Sequence, residues 1–561
     1  MSTIDWIVLF FTLLLIVVYG MYRSRGIKNI DGFIVGDREL PWYNVGLSVM
    51  ATQASAITFL SAPGLAYSSG MSFVQFYFGL PLAMIVLCIT FVPIFHRLKV
   101  YTAYEFLEQR FDCKTRVLTA ILFLIQRGIS TGITIFAPSI ILSSILHLDV
   151  TYTTLIIGSV VILYTVWGGT KAVSYTQILQ MGIIFTALFA AGFMVIELLP
   201  EHVGFKDALH IAGKSGKTNA IDLSFDLNNQ YTVWTGLIGG FFLQLSYFGT
   251  DQSQVGRYLT GASIRESRMG LLMNGLLKVP MQFCILLIGV LVFAYYQFHT
   301  PPLFFNNVEV EKIQNSAHRG EYNRIMAQHE LLSAHKTAIV EDLTVALKKD
   351  DQSAVQVKRE ALQQKNIEGQ KLRKDLEALM KKNNPDVELN DNNYVFLSFV
   401  TSTFPKGFIG LLIAVIFLAS MGATASAINS LSSTSVIDIY KRFINKTGTD
   451  RTYLIASRLF TLFWGITALV VALFASKLGN LLEAVNILGS LFYGTILGIF
   501  LVAFYFKKIG GKAVFWAAIL SEIVVFSIWK ADVLAYLWLN LVGCICVILF
   551  GYLLERRKVA V

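Results

Sequence analysis

Long apolar stretches broken by short polar loops set the pattern of this chain. Runs able to cross a hydrocarbon core, roughly 20 residues each, begin near Trp6, Val45, Phe73, Leu118, Thr151, Ile178, Trp234, Leu271, Gly410, Leu454, Leu481, Val514 and Val533. About thirteen membrane helices follow, so the expected fold is an all-α polytopic membrane protein. One polar segment, residues 306–393, interrupts the pattern. Within it Tyr322, Ile325, His329, Leu332, Lys336, Ile339, Leu343 and Ala346 step by three and four, which predicts a helix with a heptad-like seam. After the polar break 348–352, Val355, Leu362, Leu372, Leu376 and Leu379 continue a weaker seam. The segment is expected to be an antiparallel helical hairpin with arms rising roughly 40 to 50 Å from the membrane. It reads either as a solvated spacer or as a docking arm for another envelope protein.

Composition agrees with this pattern: 55% of the 561 residues are hydrophobic, 15% are charged, and the mean hydropathy is +0.60. The net charge of +10 does not point to nucleic acid, because the basic residues collect in alternate loops. Segments 22–38, 97–116, 257–268, 441–451, 507–512 and 556–558, with Lys171, all fall on one side, the cytoplasm by the positive-inside bias. The N-terminus is then outside and the C-terminus cytoplasmic, and the expected location is the plasma membrane, or the inner membrane of a Gram-negative cell. The first run follows Asp5 rather than a basic segment and lacks a small-residue cleavage site, so it reads as a retained helix. Cys88, Cys113, Cys284, Cys544 and Cys546 form no metal-ligand or disulfide pattern. No nucleotide-binding Gly-x-x-x-x-Gly-Lys loop or metal-spaced His cluster is present, so neither an enzyme nor a resident cofactor is expected.

Two membrane runs carry polar chemistry. The stretch 410–443 is dotted with Ala419, Ser420, Gly422, Ala423, Thr424, Ser426, Asn429 and Ser430. Small residues in lipid mark close helix contacts, and hydroxyls mark satisfied or ligand-facing sites. The second run contains Met50, Ala51, Thr52, Gln53, Ala54, Ser55 and Ala56, followed by Pro63, Gly64 and Gly70. Such a helix can open its backbone, which lipid tolerates only where the opening lines a cavity or coordinates something.

The runs YTAYEFLEQRF at 101–111, GGTKAVSYTQILQ at 168–180 and GTDQSQVGRYL at 249–259 resemble the sodium/solute symporter family, in particular its sodium-iodide, multivitamin and sugar cotransporter branches. The resemblance covers residues 32–508 apart from the insert. It implies a LeuT-type fold: five helices repeated upside down, with the first helix of each repeat broken at the substrate site. The segments would be a leading helix (1–30), the first repeat (31–200), the start of the second (201–305), the extracytoplasmic insert (306–393), the rest of the second repeat (394–508), and two C-terminal helices with a tail (509–561).

Carried over position by position, the family's sodium site falls on the carbonyls of Ala51, Ala54 and Ala419 and on two hydroxyl positions, here Gly422 and Ala423. Neither of the last two can offer a side-chain oxygen, although a hard cation wants about five or six oxygens. The family's usual Thr-Asp reads Thr176-Gln177 here, so a carboxylate on the ion's route is missing. Either Thr52, Ser55, Thr424 or Ser426 rebuilds the site, or sodium coupling is lost. Arg127 lies deep in the fourth run, where an unpaired guanidinium costs several kcal/mol, about 2.5 to 3.5 on insertion scales. It can compensate for an absent ion, pair with an anionic substrate, or snorkel to the cytoplasmic face. By resemblance to the sugar branch, Gln244, Lys278 and Asn486 would contact the solute, Tyr247 would gate it, and Gln53 and Thr58 would face the same cavity. The implied function is a secondary active transporter that imports a small polar solute (an organic anion, sugar or vitamin-like molecule) by alternating access, a sodium/solute symporter with a degenerate sodium site. Sodium-independent or proton-coupled transport, and a transporter-like solute sensor, are the alternatives.

Overall fold

In a bilayer every backbone N–H and C=O must find an internal partner, which restricts the spanning parts to helices and to breaks that the protein itself buries. The computed structural model describes residues 1–24, 32, 34 and 36–559, so most of the basic segment 22–38 and the side chain of Lys171 lie outside the described residues. Each apolar run is helical. Among the described residues ten helices are long and apolar enough to span, and Trp42–Gln53 with Ala56–Ser69, bent by 59°, makes an eleventh. Two runs fall short of that length. Residues 150–163 are the first part of a continuous helical element, Val150–Glu197. The run from Trp234 is interrupted at Asp251. The last crossing begins at Trp538 rather than near 533, because the chain turns at Asp532 in the left-handed region.

The insert is a helical hairpin of Arg319–Lys348 and Gln352–Asn383, preceded by the short helix Asn307–Gln314. Its turn is made by Asp350 in the left-handed conformation. The seam residues Tyr322, Ile325, Leu332, Leu343, Ala346, Val355, Leu362, Leu376 and Leu379 are buried, since each arm hides its apolar stripe against the other. The arms do not rise from the bundle. Contacts run along the first arm: His329 to the Pro301 carbonyl at 2.8 Å, Thr337 to the Gln297 carbonyl at 3.5 Å, and Glu341 to His202 at 2.7 Å. At its tip, Lys348 reaches Asp207 at 3.7 Å. The hairpin lies across one end of the helix bundle and leaves Leu331, Val357 and Ile367 exposed.

The leading helix, Thr3–Ser24, is fastened to the helix Phe408–Thr434 by one carboxylate. Asp5 accepts hydrogen bonds from the backbone N–H groups of Gly407 at 2.6 Å and Gly410 at 3.2 Å, the orphan donors of a helix start. The approach is close: a Cβ on Gly410 would sit 2.1 Å from the Asp5 carbonyl oxygen. Gly410→Ala should therefore force the two helices apart and cost about 1–3 kcal/mol, read as a lower Tm of the purified protein. An unchanged Tm would show that this contact does not constrain the bundle.

Candidate functional site

Two helix breaks meet near the middle of the bundle. The first lies at Ala54 and Ser55, where Ala54 takes φ −84°, ψ 75° between the half-helices. The second lies at Asp251, φ −76°, ψ 117°, between Gly240–Thr250 and Gln252–Tyr258. Gln53 Nε2 donates to Gln244 Oε1 at 3.4 Å and links the two broken helices. The second break is held from below by the 101–111 segment. Gln252 accepts from the Ala103 N–H at 3.1 Å and donates to the Tyr101 carbonyl at 2.8 Å, and Tyr104 Oη donates to the Thr250 carbonyl at 2.9 Å. The Tyr104 phenol thus replaces a helical hydrogen bond that the break gives up, and the Gln252 amide satisfies the backbone of the 101–111 segment.

Between the breaks lies a cavity of about 800 Å³, including its mouth. Gln53, Thr58, Arg127, Gln244, Tyr247, Asn486 and Ala423 all line it, so most of the expected solute contacts come together. Lys278 does not. Its ammonium is fully buried, finds no hydrogen-bond partner among the described residues, and lies 5.7 Å from the ring centroid of Tyr77, which itself lines the cavity. Arg127 is not snorkelling either. Its Nη2 donates to Ser253 Oγ, and its Nε lies 3.8 Å from Asp251 Oδ2. Asp251 was not picked out from the sequence, yet it organises this wall. It accepts from the Ser253 N–H at 2.8 Å, Ser253 Oγ at 2.6 Å and Tyr493 Oη at 2.7 Å. Among the described residues Arg127 Nε makes no closer hydrogen bond than this 3.8 Å ion pair, and the guanidinium stands 5.6 Å from the centroid of the Tyr247 ring. Tyr247 Oη accepts from Gln254 at 2.7 Å. The sequence did carry one further signal: Arg127, Ser130, Thr131 and Thr134 are spaced as one face of a helix, and all four line the cavity.

Beside the positions carried over for sodium, the Gln177 side chain makes a set of buried contacts. Gln177 Nε2 points at Thr52 Oγ1 (3.2 Å), Ser426 Oγ (3.1 Å) and the Gly422 carbonyl (3.4 Å), while its Oε1 accepts from Ser48 at 2.5 Å. Thr52 and Ser426 also touch each other at 3.1 Å. Three oxygens therefore converge on a tethered N–H donor, the partial positive charge of an amide. Gly422 instead makes room for the neighbouring Gln180, since a Cβ there would lie 2.5 Å from Gln180 Oε1. Of the five positions carried over, only Ala423 borders the cavity; Ala51, Ala54, Ala419 and Gly422 are buried beside it.

A model of the sodium:solute symporter family matches residues 33–317 and 383–521, leaving out most of the hairpin. The human sodium/iodide cotransporter is 32% identical over 49% of this chain and 42% of its own length. The Xenopus laevis sodium-coupled monocarboxylate transporter 1 is 30% identical over 52% of this chain and 47% of its own. The chain thus spans under half the length of these two relatives. The Aliivibrio fischeri sodium/sialic acid symporter is 24% identical over 98% of this chain and 93% of its own. A solved Na+-coupled sialic acid symporter in a substrate-bound outward-open state superposes with a TM-score of 0.76 at 21% identity, covering 99% of this chain and 98% of that one, which shows a shared fold.

The crowding at Gly422 can be tested directly. Gly422→Ser should push the Gln180 amide aside and cost less than about 1 kcal/mol, and adding Gln180→Ala should recover the small loss of Tm. If the single variant melts like the parent, the two side chains do not compete for this space.

Proposed function

Because this chain belongs to the sodium:solute symporter family, we propose that it imports a small organic anion by alternating access through the cavity between its two broken helices. The observation that carries this reading is Arg127. A guanidinium in the wall of an intramembrane cavity, anchored through Ser253 and 3.8 Å from the Asp251 carboxylate, presents a fixed positive charge to a solute anion. Iodide, monocarboxylate and sialic acid, the solutes in the names of the relatives above, are all anions near neutral pH. Gln53, Gln244 and Asn486 supply amide groups for the rest of the solute, and Tyr247 closes the cavity beside Arg127. The insert lies on the outer face in this reading, and its exposed Leu331, Val357 and Ile367 are the surface on which an envelope protein would dock.

Sodium is the ion that the family implies. Here the carbonyls of Ala51, Ala54 and Ala419 lack hydroxyl partners at 422 and 423, and the Gln177 amide occupies the adjoining oxygens. The reading is that this amide acts as a built-in substitute for the ion, which weakens coupling to sodium.

Proteoliposomes test both parts. N-acetylneuraminate or lactate should accumulate while glucose does not. Arg127→Gln should raise KM for the anion at least about tenfold, as expected for the loss of a charge-assisted hydrogen bond of about 1.5–3 kcal/mol. Uptake of glucose alone, or an unchanged KM in the variant, would sink the anion reading; solute binding without any uptake would favour a sensor. For coupling, wild-type uptake should be nearly as fast with potassium outside as with sodium, and Gln177→Asp should make it depend on sodium. A steep sodium dependence of the wild type would rule out the substitute role of Gln177.

A further inference from the structure

A second cavity, about 1450 Å³ including its solvent-open part, lies where the hairpin crosses the bundle, well away from the breaks. Its floor is the end of the broken helix, Tyr67 and Ser68, with Phe293 from the helix Ile264–Phe298. Its roof is the hairpin, with His329 and Lys336 from the first arm and Asn366, Gln370 and Arg373 from the second. The charges facing it are unequal. Lys217, Lys336 and Arg373 line it against a single carboxylate, Asp391, and that carboxylate is bound to Arg373 at 2.7 Å. Among the described residues neither lysine has a carboxylate within ion-pair distance. Lys217 donates to the Ser68 carbonyl and its ammonium stands 5.1 Å from the Phe293 ring centroid.

Such a chamber is an anion trap by elementary electrostatics: two uncompensated cations in a partly dehydrated space lower the free energy of an entering negative charge. We propose that the hairpin insert roofs a second binding site, which holds a soluble organic anion bearing a phosphate or carboxylate between Lys217 and Lys336. The amides of Asn366 and Gln370 meet its hydroxyl or carbonyl groups, and Tyr67 and Phe293 offer an apolar floor. Burial holds both lysines below the ordinary lysine range, the state that an arriving anion relieves. The insert is then a binding element in its own right, and the inference does not use the transport reading of the deeper cavity.

Pyridoxal 5′-phosphate is a suitable probe, since it carries an anion and an aldehyde. The aldehyde carbon adds to an uncharged lysine Nζ with loss of water, and borohydride then delivers hydride to the imine carbon, leaving a stable secondary amine. The full chain in nanodiscs, treated with this pair of reagents and read by peptide mass spectrometry, should be labelled at Lys217 and Lys336 about tenfold or more above the hairpin lysines Lys358 and Lys365, the scale of local concentration that a charged cleft provides. Pyridoxal without the phosphate should lose most of that preference, and Lys336→Gln should lower labelling of Lys217. Uniform labelling, equal labelling by pyridoxal, or Lys217 labelling unchanged in Lys336→Gln would each overturn the site.

Discussion

The central wall of this protein hangs on one carboxylate. Asp251 sits where a membrane helix stops and restarts, and it holds the restart through the Ser253 N–H and hydroxyl. Its second oxygen reaches Tyr493 on the helix Leu481–Tyr505 and faces Arg127 on the helix Cys113–Leu146. Three separate elements are thereby tied at the point where the backbone is least able to satisfy itself. The same contacts solve a charge problem, because a guanidinium at this depth is tolerable only beside an acidic partner or within a polar cavity, and here it has both. The cavity wall and the support of the break are therefore one structure, and a change at either is felt at the other.

Gln177 joins the first broken helix to the helix Phe408–Thr434 through one side-chain amide. Three oxygens converge on its N–H group. An amide brings a fixed partial charge and cannot leave. An ion in that place makes its stabilisation depend on concentration, whereas a tethered donor makes it permanent. Gly422 belongs to the same arrangement, since the room that a serine would take is occupied by Gln180.

Much of this was legible in the sequence. The apolar runs marked the helices, the Ala54–Ser55 opening followed from small polar residues inside a hydrophobic run, and heptad spacing marked both arms of the hairpin. The motifs at 101–111, 168–180 and 249–259 meet in space: Gln252 binds the first, and Arg257 Nη1 reaches Ser174 in the second at 3.2 Å. What spacing could not reveal was pairing across the bundle. Arg127 looked unpaired because its partner lies more than a hundred residues away, in a motif read for its resemblance rather than for its charge. Lys278 fails in the opposite sense: it resembles a solute contact, yet its helix turns it behind Tyr77. The hairpin's direction was also hidden, because a heptad seam specifies what the arms bury against each other and says nothing of the surface on which the pair lies.

That resting place changes what the insert can be. An arm standing free of the bundle contributes only its own surface, but an arm lying across the bundle creates a cleft between itself and the bundle. The link is specific: Arg373 bridges from the second arm to Asp391, just before the helix Asn392–Thr403, and also reaches the Leu303 carbonyl at 3.5 Å. Because Asp391 is spent on that bridge, it cannot neutralise Lys217 or Lys336. The contact that fastens the hairpin therefore also leaves the chamber beneath it positively charged.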